Sequence, residues 1–202
     1  MPDELLEGDR QLMARVRDGD RLAFEQLYSR FSSPVMRFLF RLCGNRALAE
    51  DLTQDVFLKV WRAAAGWRPI GRVSTWLFQI AKHHWWNEAA KRKRRAALTG
   101  RPLLPGDEPM RASSTGTSGS GAGDASAGAT DPGRTLARAE ETASVERALA
   151  ELSPRLRVVF VLVRLEGLSY ADTAEVVGIP VGTVKSRAAA AEAWLRTHLR
   201  RT

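Results

Sequence analysis

The chain has 202 residues, of which 44% are hydrophobic and 27% charged; that is enough to bury one or two small cores and too little for a large enzyme fold. A formal net charge of +8 and a pI near 10.5 favour a polyanionic partner, nucleic acid first and a membrane surface second, because Lys and Arg that neutralise phosphates release condensed counterions. Cys43 is the only cysteine, which excludes an intrachain disulfide and a Cys-based zinc site, and the longest purely aliphatic or aromatic run, Val158 to Val163, is too short to span a bilayer. The acidic start, Met1 to Asp9, lacks the basic n-region of a secretion signal, so a soluble, cytoplasmic chain without membrane insertion is expected. Asp20 is placed to cap a first helix carrying Leu22, Phe24, Leu27, Tyr28 and Phe31. Pro34, tolerated at a first turn, is expected to restart a second helix through Val35, Phe38, Leu39 and Leu42, which Gly44 ends. The next helix is expected from about Arg46 to Ala65, with Leu48, Leu52, Val56 and Val60 on one stripe and Phe57 and Trp61 beside it. Asp51 and Asp55, four residues apart, share another face with Gln54, a like-charge spacing that a cationic partner would turn into attraction.

Gly66 to Gly71 then reads as a loop, since Pro69 disfavours helix in the residue before it. A further helix is expected from about Val73 to Arg95, apolar and aromatic at its start and basic at its end, Lys91-Arg-Lys-Arg-Arg95. Five of the six tryptophans lie between Trp61 and Trp86, with Lys82, His83 and His84 among them. Aromatics interleaved with cations suit single-stranded nucleic acid, because a base stacked on an aromatic gains about 1–3 kcal/mol while cations track the phosphates. Trp61 and Trp76, in apolar neighbourhoods, are expected in the core, and Trp67, in a polar loop, is expected exposed and able to stack. From Gly100 to Gly133 nearly every residue is Gly, Ser, Ala, Thr, Pro or Asp, which reads as a flexible tether because so little apolar surface cannot offset the entropy of ordering.

Beyond the tether, Leu136, Ala139, Val145, Leu149 and Leu152 mark a helix, and Ser153-Pro154 starts another through Val158, Val159, Val161, Leu162 and Leu165, ended by Gly167. Ser169 caps a short helix from Tyr170 to Val177, Gly178 makes the turn, and Pro180 starts the last helix. The spacing of Ala174, Gly178 and Val184 is that of a helix-turn-helix: a small residue admits the second helix, a glycine permits the turn, and an apolar residue locks the pair. Val184, Ala188, Ala191 and Leu195 should face inward, leaving Thr183, Ser186 and Arg187 outward and Lys185 on the flank, where they suit base edges and phosphates of a major groove. The fold class is therefore all-α: two small helical domains, 1–96 and 136–202, joined by a flexible linker, 97–135.

Three motifs in order resemble the extracytoplasmic-function sigma factors of bacterial RNA polymerase, over roughly Asp9 to Arg95 and Leu136 to Arg200. Asp51-Leu-Thr-Gln-Asp-Val-Phe-Leu-Lys-Val-Trp61 resembles the family's polymerase-core-binding helix. Thr75-Trp-Leu-Phe-Gln-Ile-Ala81 resembles the start of its promoter-melting helix, and Gly182-Thr-Val-Lys-Ser-Arg187 its second DNA-binding motif. The resemblance implies that Asp51, Leu52, Thr53, Gln54, Asp55 and Phe57 meet the core polymerase. It implies that Trp67, Arg68, Arg72, Thr75, Trp76, Gln79, Lys82 and His83 take the minus-ten element as single-stranded non-template DNA. Ser169, Tyr170, Thr183, Lys185, Ser186 and Arg187 would read the minus-thirty-five element as duplex. It implies as well an anti-sigma factor as a partner, bond chemistry left to the polymerase, and no cofactor, metal or catalytic residue. No appended regulatory domain is expected after Thr202.

Two positions depart from the family pattern. His83 stands where many relatives carry asparagine, and Ala190 and Glu192 stand where arginines are frequent, which implies fewer phosphate contacts. A helix-turn-helix repressor acting without polymerase would explain Thr183 to Arg187 but neither the acidic helix nor the tryptophan loop. A nuclease would need carboxylates converging on a metal, and Asp51 and Asp55 lack an evident third ligand, with His83 and His84 on different helix faces.

Overall fold

Local chemistry sets the helix ends in a computed structural model that describes residues 2–99 and 144–199. Helix α1 spans Pro2–Arg17, α2 Arg21–Cys43 and α3 Arg46–Ala63, followed by a 3-10 turn at Ala64–Gly66 and α4 at Val73–Thr99. Helix α5 covers residues 144–151, α6 Pro154–Phe160, α7 Tyr170–Val177 and α8 Val181–Leu199, with a π-helical turn, Val161–Leu165, after α6. The Asp20 carboxylate accepts from Ala23 N at 3.1 Å, and Gly44, at φ +66°, closes α2 with its N–H on Phe40 O at 2.7 Å. Asn45 Oδ1 accepts from Leu48 N at 2.9 Å and opens α3. Among the described residues every regular element is helical, as the all-α expectation requires.

Several boundaries differ from those read in the sequence. Pro34 does not restart a helix but lies inside α2. Its missing N–H loses one backbone bond, yet Phe31, Val35, Phe38 and Leu39 on either side are all buried, and that common face keeps the helix continuous. Helix α1 had no counterpart among the expected helices; it docks through buried Met13 and Val16, with an Arg30–Asp9 ion pair of 2.8 Å to α2. Helix α4 runs past Arg95 to Thr99, so residues 97–99, assigned to the linker, form its last turn; the rest of the expected linker, and the expected start of the second domain at Leu136, lie outside the described residues.

In the C-terminal half, Ser169 Oγ accepts from Asp172 N at 3.0 Å, Gly178 adopts φ +76°, and Val184, Ala188, Ala191 and Leu195 are all buried. Val159, Ala174, Val184 and Ala188 form one small core, which locks α7, α8 and α6 in the helix-turn-helix arrangement. Leu149 and Leu152 form another with Ala191 and Leu195. The two halves also pack on each other. Val158, Val161, Leu162, Leu168 and Val176 belong to the same buried cluster as Leu39, Leu42, Leu77 and Trp85. The π turn assists this seam: Glu166 N bonds Val161 O at 2.9 Å, Gly167 takes φ +71°, and Glu166 is delivered to α2, where Arg41 Nη1 meets it at 2.6 Å.

Candidate functional site

Helix α3 presents an acidic face to solvent. Asp51, Gln54 and Asp55 are exposed, whereas Leu52, Thr53 and Phe57 are buried at 3%, 5% and 2% exposure. The last three were expected to touch a partner; their side chains instead anchor the helix, with Thr53 Oγ1 donating to Ala49 O at 2.6 Å. Aromatic side chains border the face: Tyr28 and Phe57 meet edge-on with centroids 4.8 Å apart, and Phe24 and Trp61 at 5.0 Å. Trp61, expected in the core, is 38% exposed, and Leu58 is 55% exposed. One contact on this face could not be read from local sequence. His84, buried on α4, approaches Asp55 Oδ2 with Nε2 at 3.0 Å and Lys59 Nζ with Nδ1 at 2.6 Å.

The loop before α4 differs most from its expectation. Trp67 is only 7% exposed, because α1 lies across it; Arg10 of α1 donates to Gly71 O at 3.3 Å and holds the loop down. A ring buried by its neighbours gains more from apolar contact than a solvent-facing ring does, so the polar sequence around it was a poor guide. Arg68 remains exposed.

The expected single-strand face of α4 lies against α7. Arg72 Nη1 meets Asp172 Oδ2 at 3.4 Å, Thr75 Oγ1 donates to Asp172 Oδ1 at 3.4 Å, and Gln79 Nε2 donates to Glu175 O and Oε1 at 3.2 and 3.3 Å. Lys82 Nζ donates to the carbonyls of Val176 at 2.8 Å and Val177 at 3.3 Å, at the C-terminal end of α7, where a cation also complements the helix dipole. Burial in this seam pulls the Lys82 ammonium below its usual value. Trp76 is half-buried against the main core, and His83 is exposed.

On the helix-turn-helix, Lys185 and Ser186 are exposed, Thr183 and Tyr170 are half-buried, and Lys185 Nζ lies 5.9 Å from the Tyr170 ring centroid. Ser169 is tied to its cap by Asp172. Arg187, expected outward, is half-buried and lines a cavity of about 330 Å3 at the seam, together with Lys82, His83, Trp86, Arg155 and Val158. Glu192 pairs with Arg164 Nε at 2.5 Å and so neutralises a charge on this surface. That pair joins residues 28 apart, and no local pattern announces it.

Comparison with known proteins matches this arrangement from both ends. The Sigma-70 region 2 family profile covers residues 27–95 and the Sigma-70 region 4 profile residues 142–195. The chain is 33% identical over 186 residues to the RNA polymerase sigma-H factor of Pseudomonas aeruginosa, spanning 90% of this chain and 88% of that protein. It is 33% identical over 187 residues to the ECF RNA polymerase sigma factor SigM of Mycobacterium tuberculosis, spanning 93% and 82%. In fold, it is similar to the sigma factor RpoE solved in complex with the anti-sigma factor NepR from Bartonella quintana, with a TM-score of 0.69 at 24% identity over 88% of this chain and 96% of that one. It is similar too to CnrH solved with the cytosolic domain of CnrY, with a TM-score of 0.65 at 24% identity over 96% and 97%. An acidic, aromatic-bordered helix, a cationic helix behind it and a locked helix-turn-helix thus occur in a chain that belongs to the extracytoplasmic-function sigma factors, the RNA polymerase subunits that bind the core enzyme, direct it to promoters and promote DNA melting.

Proposed function

We propose that three separate surfaces divide this work: the Asp51, Gln54 and Asp55 face of α3 docks on core polymerase, the Arg72 to His83 face of α4 with Arg68 takes the unstacked minus-ten strand, and Thr183, Lys185, Ser186 and Arg187 read the minus-thirty-five duplex. The division assigns residues 1–96 and 136–202 to the two promoter elements. The polymerase supplies the bond chemistry, and the chain works where the polymerase does, in the cytoplasm; no helix among the described residues is long and apolar enough to cross a membrane. The observation that carries the reading is the separation of chemistries: exposed carboxylates on α3, and a row of donors running from Arg72, just before α4, through Thr75, Gln79 and Lys82 on it, whose present acceptors are carboxylates and carbonyls of α7. Donors satisfied by anionic and carbonyl oxygens are equally suited to phosphates and base edges.

The same observation sets a condition on activity. While α7 lies on α4, those donors are occupied, so promoter engagement requires the halves to part. A partner that holds the halves together would keep the factor inactive, and control by an anti-sigma factor is proposed on that ground; the RpoE and CnrH structures of similar fold were each solved with such a partner or with a second protein's cytosolic domain. The test is run-off transcription with purified bacterial core polymerase on genomic fragments, comparing the protein with its Asp51→Lys/Asp55→Lys variant. Specific initiation by the first and loss of core binding by the second are expected, since charge reversal replaces attraction with repulsion. Tight promoter footprints by the protein alone, with no requirement for core, would instead indicate a repressor.

A further inference from the structure

Asp55 and Lys59 are one helical turn apart on α3, a spacing at which a carboxylate and an ammonium usually pair directly. Here they do not; among the described residues no Asp55–Lys59 ion pair forms, and the imidazole of His84 stands between them. Lys59 Nζ lies 2.6 Å from Nδ1, and an ammonium, having only donors, requires a lone pair on the atom it faces. That fixes the tautomer: Nδ1 accepts from Lys59, and the proton sits on Nε2, which donates to Asp55 Oδ2 at 3.0 Å. His84 is 8% exposed and lies where α4 packs on α3, so burial between the two helices confines the ring along with its two hydrogen-bond partners. The Asp55 side chain remains 58% exposed, with Oδ1 free to meet an incoming cation.

We propose that His84 is a positioning residue for polymerase docking: a neutral imidazole that keeps Lys59 from neutralising Asp55 and holds that carboxylate pointing outward from α3. The inference rests on the reading of Asp55 as a docking residue. A neutral N–H donor orients the carboxylate while leaving its negative charge to the partner, whereas a direct Lys59 contact would place a full positive charge on it. A carboxylate held in one rotamer also loses less freedom on binding than a free one. Because His84 follows Lys82 and His83 on α4, the helix proposed to capture the separated strand also sets the docking group of α3, so the two surfaces share one rigid part.

The experiment measures core-polymerase affinity for the full chain and for Asp55→Ala, His84→Phe, His84→Gln and the Asp55→Ala/His84→Phe double variant, with helicity and thermal midpoint recorded for each. Phenylalanine keeps the ring's bulk and removes both nitrogens; glutamine carries an amide donor in place of Nε2 and a carbonyl acceptor for Lys59. Asp55→Ala and His84→Phe are each expected to weaken binding by roughly three- to tenfold, the scale of one charge-assisted hydrogen bond at a partly exposed site. His84→Gln should return most of the affinity. The double variant should match Asp55→Ala alone, because residues acting through one group are not additive. Nitrogen-15 shifts of the His84 ring should show Nδ1 unprotonated. Wild-type affinity in His84→Phe, or the same further loss in the Asp55→Ala background, overturns the positioning role. Unchanged affinity in Asp55→Ala while the wild-type chain binds core overturns the docking assignment itself and the inference with it, an outcome visible in that one variant.

Discussion

Glu166, with a side chain 3% exposed, sits between Arg41 Nη1 at 2.6 Å and Arg37 Nη2 at 3.7 Å, and its carboxyl reports whether the seam is shut. Burial is the larger influence and raises it above its ordinary 4.5, while the two guanidiniums pull the other way. A carboxyl whose value is higher in the closed form takes up a proton on closing. Its contribution to closure is therefore fully present below 4.5 and is lost as pH rises through the raised value. Energy transfer between dyes on the two halves should show closure strengthening as pH falls through that window, and Glu166→Gln should flatten the dependence. Trp67 makes a different demand. At 7% exposure beneath α1, its replacement by alanine should destabilise the N-terminal half by about 3–5 kcal/mol in denaturant unfolding, with equal defects on duplex and pre-opened promoters. A selective rescue by a pre-opened bubble would mean that α1 leaves Trp67 free in the working complex. Both residues were hard to read in the sequence for one reason: burial by a distant segment leaves no mark on neighbours in the chain. By contrast, the exposure of Asp51 and Asp55 follows from their offset from the Leu48, Leu52, Val56 stripe, and periodicity alone recovered it.

Among the elements, α2 and α8 carry the clearest wagers on stability and charge. Replacing Pro34 with alanine restores a backbone donor inside α2 and should stabilise the protein by about 2 kcal/mol, the helix-interior cost of proline less its restriction of the unfolded chain. Urea midpoints at constant slope would measure it, and a loss of stability would show that the helix bends around Pro34 to fit its neighbours. On α8, Ala190→Arg with Glu192→Arg removes one negative charge, adds two positive ones and releases Arg164 from its 2.5 Å pair. Promoter binding should then tighten and its salt slope should steepen by about one unit per phosphate newly contacted; a flat slope would place α8 away from the duplex. The helix-turn-helix was legible because its determinants are local: the Ser169 cap, Gly178 at positive φ and the buried Ala174 and Val184 lie within sixteen residues. Helix α2 was legible at both ends, through Asp20 and Gly44, and misread in the middle, where the apolar face outweighs the single lost bond. Arg164 and Glu192 share no sequence periodicity and meet only because α6 packs on α8 and brings the turn that follows it within reach.

At the scale of the molecule, the seam between α4 and α7 decides what the chain can reach. The Arg72–Asp172 contact offers a direct test: Asp172→Lys should push the halves apart by setting like charges together, and adding Arg72→Asp should draw them back. Energy transfer should fall in the single variant and recover in the double. An unchanged signal in Asp172→Lys would mean that the apolar contacts of Val158, Leu162 and Val176 hold the seam without this pair.

Because both faces of the seam belong to one chain, its closure is a unimolecular equilibrium. Making more of the protein raises the open and closed populations in fixed ratio and never shifts one toward the other. The dissociation constant seen by a promoter is then the intrinsic constant divided by the open fraction, so an open fraction of about one in a hundred weakens apparent binding about a hundredfold with every DNA-facing side chain intact. Substitutions at Asp172, Glu175 or Glu166, none of them proposed to touch DNA by way of the seam, would in this way act as uniform multipliers of promoter strength, altering how much transcription the factor supports and leaving its choice among promoters unchanged.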